Sequence, residues 1–202
     1  MYKIYGDIRS GNCYKIKLLS SLLDIEHEWI HVDVTAQQTR TDDFMAKNPN
    51  AKIPVMELKP GVFLWESNAI LNFLAEGTPY LPAERLKRAR VLQWQFFEQY
   101  SHEPFIAVAR FIARYLGLPE SRKQEYLAKQ EGGYKALRVM DGQLEKTAYL
   151  AGDDYTIADI SLYAYTHVAH EGGFDLSHYP AIGRWLDCIA DHPKHVTIEQ
   201  FL

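Results

Sequence analysis

The stretch Lys52-Ile53-Pro54-Val55, followed shortly by Glu66-Ser67-Asn68-Ala69, restricts what this chain can fold into more than any other part of it. Val55-Met56-Glu57-Leu58 reads as a strand, Lys59-Pro60-Gly61 as a turn and Val62-Phe63-Leu64-Trp65 as the return strand, which predicts a hairpin. Pro54 lacks an N–H and its ring disfavours helix at Ile53. A cis Ile53–Pro54 bond would leave the Ile53 N–H and C=O outside the ladder, where a short peptide can pair with them as an added strand. Directly after the hairpin, Glu66-Ser67 stands where a helix begins. Ser67 and the unpaired N–H groups of a first helical turn suit a carboxylate, and Glu66 suits an ammonium. Together these residues read as a receptor for a short zwitterionic peptide.

The flanking sequence places this receptor in an α/β domain. Lys3-Ile4-Tyr5 is strand-like, and Cys13 to Leu23 carries apolar residues at 16, 19, 22 and 23, a helical face. Trp29 to Val32 returns to strand, Thr41-Asp42-Asp43 opens a short helix ending near Asn48-Pro49, and Ser67 to Ala75 reads as helix. The order β-α-β-α-β-β-α supplies the helical crossover that parallel strands need. A Gly- and Pro-containing linker at 77–82 follows, and beyond it strand signals vanish. Ala83 to about His102 is helical, with Val91, Trp94, Phe97 and Tyr100 spaced as an apolar face. Pro104 ends or kinks that helix before Phe105 to Leu116 continues. Ser121 to Lys146 reads as a long helix weakened at Gly132-Gly133. Thr156 and Asp159 form a helix-start pair, with Tyr155 placed to staple onto Ile160. Tyr179-Pro180 opens a last helix with Trp185 and Ile189 on one side.

These residues resemble the glutathione transferase family over the whole chain, in its bacterial-like, theta-like branches with a serine-type active site. The resemblance implies a thioredoxin-like domain over 1–76, a linker over 77–82 and an all-helical domain over 83–202, with the Thr156/Asp159 box in a buried helix. It implies that Ile53, before Pro54, pairs with the cysteinyl backbone of glutathione and that Glu66 and Ser67 hold its γ-glutamyl end. Lys52 is expected to meet the glycyl carboxylate, with Gln38 and Thr39 contacting the same end. A homodimer is implied, Gln99 or Glu103 reaching the partner's site, and Trp94, Phe97 and Tyr100 supplying apolar area for that surface or for the core. The electrophile pocket falls to Ile8, Phe105, Val108, Phe111 and Tyr115, with Arg114 as a polar contact.

The chemistry is expected in the loop Arg9-Ser10-Gly11-Asn12-Cys13, between the first strand and the first helix. Ser10-x-x-Cys13 has the spacing of a dithiol redox motif whose first cysteine is replaced by serine. A serine forms no disulfide with glutathione, but it donates a hydrogen bond to a thiolate, which lowers the thiol pKa. An ordinary thiol, at a pKa of about 8.5, is only slightly ionised at neutral pH. Lowering it by about two units requires roughly 2.7 kcal/mol. One charge-assisted hydrogen bond supplies about 1.5–3 kcal/mol and a helix N-terminus up to about 1. Ser10 is thus the candidate activator, as in the serine-type branches that the loop resembles. Tyr5 sits inside a strand and is set aside. Cys13 is expected to turn toward the core as packing, and Cys188 to lie in the helical core.

Composition narrows the alternatives. The net charge of −4 gives no footprint for nucleic acid. No apolar run reaches the ~20 residues of a membrane span, and the N-terminus shows no signal-peptide pattern. Two cysteines cannot build a disulfide framework, and the eight histidines are scattered, so no metal is expected and a reducing cytoplasm fits. The expected function is an enzyme that uses glutathione as co-substrate and adds it to a small hydrophobic electrophile. The alternatives are glutathione-dependent reduction of disulfides or peroxides, possible through Cys13, and a non-catalytic scaffold.

Overall fold

Strand β1 (Tyr2–Gly6) pairs on both sides, in parallel with β2 (His27–His31) and antiparallel with β3 (Val55–Lys59), which pairs in turn with β4 (Val62–Trp65). The sheet order is β2-β1-β3-β4. Ile4 stands opposite Trp29 on one side and Met56 on the other. Ile4, Val55 and Met56 are buried, as expected of central strands. The computed structural model describes residues 1–200. They divide into two units, one of residues 1–76 with 193–200 and one of Gly77–His192.

In the first unit, helix α1 (Gly11–Leu22) is the crossover between the parallel strands and packs on α3 (Ser67–Ala75). Ile16, Leu18 and Leu19 are inaccessible to solvent. The short helix α2 (Asp42–Lys47) starts at a Thr41 cap, whose hydroxyl accepts from Phe44 N. Gly61, at φ +78°, makes the hairpin turn, a conformation that glycine adopts without steric cost. This is the mixed-sheet, thioredoxin-like domain that the element order predicts.

Assigning all of 83–202 to the helical domain needs correction at its end. Residues 193–200 return to the first unit and lie along α1. The Lys17 ammonium donates to the Thr197 and Ile198 carbonyls at 2.9 and 3.1 Å, and the Ser21 hydroxyl to the Lys194 carbonyl at 2.8 Å. Irregular backbone needs partners for its carbonyls, and α1 provides them. Val196 and Ile198 are buried there.

The second unit is helical, with one isolated bridge between Tyr149 and Gly152 among the described residues. Helix α4 (Arg85–Phe97) is capped by Glu84, whose carboxylate accepts from Leu86 N and Lys87 N. It runs through a wide turn with i→i+5 bonding (Glu98–His102) into α5 (Glu103–Arg110), and a second such turn covers Phe111–Tyr115. Pro104 sits in the first turn of α5 directly after the wide turn, where the continuing helix goes without its N–H. Helices α6 (Lys123–Leu144), α7 (Ile157–Thr166) and α8 (Pro180–Ala190) complete the unit. All ten residues of α7 are buried, and its start carries the predicted box, Thr156 capping the helix and Asp159 bonding back to Thr156 N.

Two sequence expectations change here, and the glycine pair expected to weaken the long helix gains a packing role. Val91 and Trp94 point inward but Tyr100 is 84 % exposed. At about 100° per residue the i+9 position falls on the opposite face from Val91, and the wide turn intervenes. Gly132 and Gly133 do not interrupt α6. A Cβ on them would meet the Phe105 and Phe174 rings at 2.2 Å, so they are the notches that let those rings approach. Cys188 is exposed, not core: Ile182, Trp185 and Ile189 take the inward face of α8, and the Cys188 sulfur lies 3.3 Å from the Tyr149 hydroxyl.

Candidate functional site

The loop after β1 is held from within. Asp7 is fully buried, and its carboxylate accepts from Arg9 N at 2.9 Å, Nε at 3.1 Å and Nη2 at 2.8 Å. The Asp7 carbonyl accepts from Ser10 N at 3.0 Å. This clamp presents half-buried Ser10 as the N-cap of α1, where its Oγ takes a long 3.5 Å bond from Cys13 N. A hydroxyl has one proton and two lone pairs. Capping uses a lone pair, so capping and donation to a thiolate are compatible roles.

Cys13 is inaccessible, with its sulfur against Gly6, where a Cβ would meet it at 2.7 Å. Burial pushes its thiol up to about 12, so it stays protonated at neutral pH and is unsuited to redox or nucleophilic work. The Tyr5 hydroxyl is committed to Glu57 Oε2 at 3.0 Å. Burial, together with that carboxylate, raises it to about 12.

The Ile53–Pro54 bond is cis, and both ladders of β3 begin at Val55, leaving Ile53 outside them. The Ile53 side chain packs against the Val32–Phe44–Val55 cluster. Buried Asn48 shapes the approach to it: its amide donates to the Lys52 carbonyl at 2.7 Å, and its oxygen accepts from Asn50 N at 2.9 Å. Lys52 is exposed. Gln38 is exposed too, but its side-chain oxygen already accepts from Asp33 N at 2.7 Å, and Thr39 is 5 % exposed, which leaves it little surface for a ligand.

Glu66 is exposed and sits at φ +71°, a region unfavourable to non-glycine residues, immediately before α3. Its Oε1 lies 3.5 Å from Asn50 Nδ2. Ser67, the first residue of α3, is 4 % exposed. Its Oγ lies 3.2 Å from Lys15 Nζ and 3.2 Å from Asn12 Oδ1, and Lys15 Nζ is 2.8 Å from that same Asn12 oxygen. Asp7, Asn12, Lys15 and Asn48 were not among the residues singled out by sequence. Lys15 had a signal: it is a cation inside the apolar run of α1, between Tyr14 and Ile16.

The residues assigned to the electrophile lie in different surroundings. Ile8 is half-buried in the loop after β1. In the helical unit, Phe105 fills the Gly132 notch beneath Lys129, whose Nζ is 5.7 Å from the ring centroid, and Val108 is half-buried. Phe111 and Tyr115 have centroids 5.2 Å apart. Exposed Arg114 approaches Glu171 at 3.7 Å, beside the tighter Arg110–Glu171 pair at 2.6 Å. Gln99 donates to Glu98 at 2.8 Å, and Glu103 is half-buried at the start of α5. Among the described residues no group of three His, Cys, Asp or Glu side chains is placed to hold a metal ion, and no helix is long and apolar enough to cross a membrane.

Residues 1–76 match the family model of the glutathione S-transferase N-terminal domain, and residues 91–193 that of the C-terminal domain. The chain belongs to the glutathione S-transferase family. Among solved structures it is similar to a glutathione S-transferase from Pseudomonas fluorescens, at 62% identity, 98% of this chain and 99% of that one, and a TM-score of 0.96. It is also similar to a possible glutathione S-transferase from Rhodopseudomonas palustris, at 43% identity, 100% of this chain and 91% of that one, and a TM-score of 0.97. Among characterised relatives, the disulfide-bond oxidoreductase YfcG of Escherichia coli strain K12 is 28% identical, over 90% of this chain and 87% of its own length. The family thus joins enzymes named for transfer with one named for disulfide chemistry.

Proposed function

We propose that this glutathione S-transferase family member binds glutathione, holds its sulfur as a thiolate at Ser10 and transfers it to a small hydrophobic electrophile. The observation that carries the reading is the clamped Ser10 at the N-cap of α1, with an O–H to donate beside a helix N-terminus. Glutathione gives its thiol proton to solvent, and its sulfur forms a bond to an electrophilic carbon as a leaving group departs or an adjacent atom takes a proton. In this reading Ile53 pairs with the cysteinyl backbone, Lys52 meets the glycyl carboxylate with Gln38 beside it, and Glu66 and Ser67 hold the γ-glutamyl end. Burial of Thr39 argues for its backbone, not its side chain, as any contact. Ile8, Phe105, Val108, Phe111, Arg114 and Tyr115 remain the proposed electrophile contacts. A reducing compartment such as the cytoplasm supplies the thiol form.

A homodimer belongs to the same proposal. Leu92, Phe96 and Tyr100 follow one another at i, i+4 and i+8 and are 38 %, 65 % and 84 % exposed, an apolar stripe suited to a second copy. Gln99 or Glu103 would then reach the partner's site.

Calorimetric titration with glutathione, beside a conjugation assay on an activated haloarene, tests the reading. Glu66→Gln should weaken glutathione binding about 10- to 150-fold, since a charge-assisted hydrogen bond contributes about 1.5–3 kcal/mol. A parent protein that neither binds glutathione nor conjugates it would sink the proposal. The resemblance to YfcG supports a second reading, reduction of small disulfides by glutathione. In it Ser10 still stabilises the glutathione thiolate, because Cys13 is buried and protonated. Turnover of a small disulfide but not of the haloarene would favour that reading.

A further inference from the structure

We propose that Lys15 is a positioning residue that makes the α3 end of the site selective for a carboxylate, acting through the hydroxyl of Ser67. The inference rests on the glutathione reading and deepens it. Lys15 lies on α1 with no solvent exposure, a rare state for an ammonium and a costly one unless its donors are used. It points at the start of α3, 3.2 Å from Ser67 Oγ and 2.8 Å from Asn12 Oδ1.

The hydrogen-bond roles follow from the atoms. An ammonium only donates, so Ser67 Oγ accepts from Lys15. The single Ser67 proton then goes to Asn12 Oδ1, 3.2 Å away. Asn12 Oδ1 accepts from Lys15 as well, so it can release the serine proton without being stranded. A carboxylate arriving at the first-turn N–H groups of α3 is a stronger acceptor than an amide oxygen, and the Ser67 proton turns to it. The result is a chain from ammonium to hydroxyl to carboxylate in which each bond polarises the next. A neutral amide in the same place gains less from that chain, because bonds to ions are about twice as strong. A merely structural tie between α1 and α3 would leave that preference unchanged when Lys15 is replaced.

The test compares glutathione with its analogue in which the γ-glutamyl α-carboxylate is a carboxamide, by calorimetric titration. The parent protein should prefer glutathione by about 10- to 150-fold, the span of one charge-assisted bond. Lys15→Gln should shrink that preference to about threefold by losing glutathione affinity while keeping affinity for the carboxamide, and Lys15→Arg should restore most of it. Equal affinities for the two ligands in the parent protein would overturn the proposal without any variant. So would a Lys15→Gln protein that loses both ligands equally, the mark of a structural role. Parent protein that binds neither ligand would remove the glutathione reading beneath it.

Discussion

The Tyr14 hydroxyl donates to the Val196 carbonyl at 2.7 Å, and His195 Nε2 lies 3.1 Å from that hydroxyl. The phenol has one proton and a carbonyl can only accept, so His195 brings an N–H of its own to the third side. Tyr14 N also bonds the Ser10 carbonyl at 2.8 Å. His195 and Val196 are therefore tied to the first turn of α1, next to Ser10, across 181 and 182 positions of sequence.

Ser10 should separate capping from catalysis. Ser10→Ala removes both, lowering turnover about 10- to 1000-fold by loss of one donor to a developing anion and stability by about 1 kcal/mol by loss of a cap. Ser10→Asp keeps a capping oxygen but sets a negative charge against the thiolate. It should be as stable as the parent in urea yet no more active than Ser10→Ala. Steady-state kinetics and urea midpoints check both, and an active Ser10→Asp protein would exclude the thiolate role.

Lys17 makes stability depend on pH. It is 2 % exposed, and burial lowers its ammonium from the ordinary 10.5 to about 8. The folded state therefore holds its proton less tightly than the unfolded chain. Below about pH 8 both states are charged and the burial cost is constant. Between about 8 and 10.5 only the unfolded state stays charged, so the folded state gains, by about 3 kcal/mol at the upper end. Measured against Lys17→Met, which does not titrate, the parent should gain stability from pH 7.5 to 10. A flat difference across that range would contradict the assignment.

Asp159 should be hard to replace. Its fully buried carboxylate accepts from Leu150 N, Thr156 N, Thr156 Oγ1 and Trp185 Nε1, joining the α7 start to α8. Asparagine offers one oxygen where these donors use two, and turns an NH2 toward the others. Asp159→Asn should cost about 2–4 kcal/mol, read as a lower urea midpoint with glutathione affinity retained at low urea. Parental stability in the variant would show the network to be dispensable.

Phe96 tests the dimer. Phe96→Glu places a charge in the stripe of Leu92, Phe96 and Tyr100 without touching the core, since Phe96 is 65 % exposed. Sedimentation should give twice the chain mass for the parent and a shift to the single-chain mass for the variant, with reduced activity. A parent that sediments as an active monomer would discard the dimer.

Much of the fold was legible because its signals act over a few residues. The hairpin from Val55 to Trp65 followed from alternating strand residues around Lys59-Pro60-Gly61, and the start of α3 at Ser67 from the residues at its head. The Thr156/Asp159 box closes on itself within one turn. Within the candidate site, Ser10, Ile53, Glu66 and Ser67 stood out through local pattern and family resemblance, whereas Lys15 and Asn12 did not, because their meaning lies in reaching Ser67, more than 50 positions away.

Sequence alone determined which segments are helix or strand and where the loop that carries Ser10 lies, since periodicity and capping are properties of neighbouring residues. Tertiary structure decided which face of each helix is inward, so that Tyr100 and Cys188 meet solvent and Gly132 receives a ring. It also decided that residues 193–200 serve the first unit, and that the ammonium groups of Lys15 and Lys17 are buried. Those outcomes depend on long-range packing and on which distant oxygen satisfies a buried donor, and neither is encoded in any short stretch of chain.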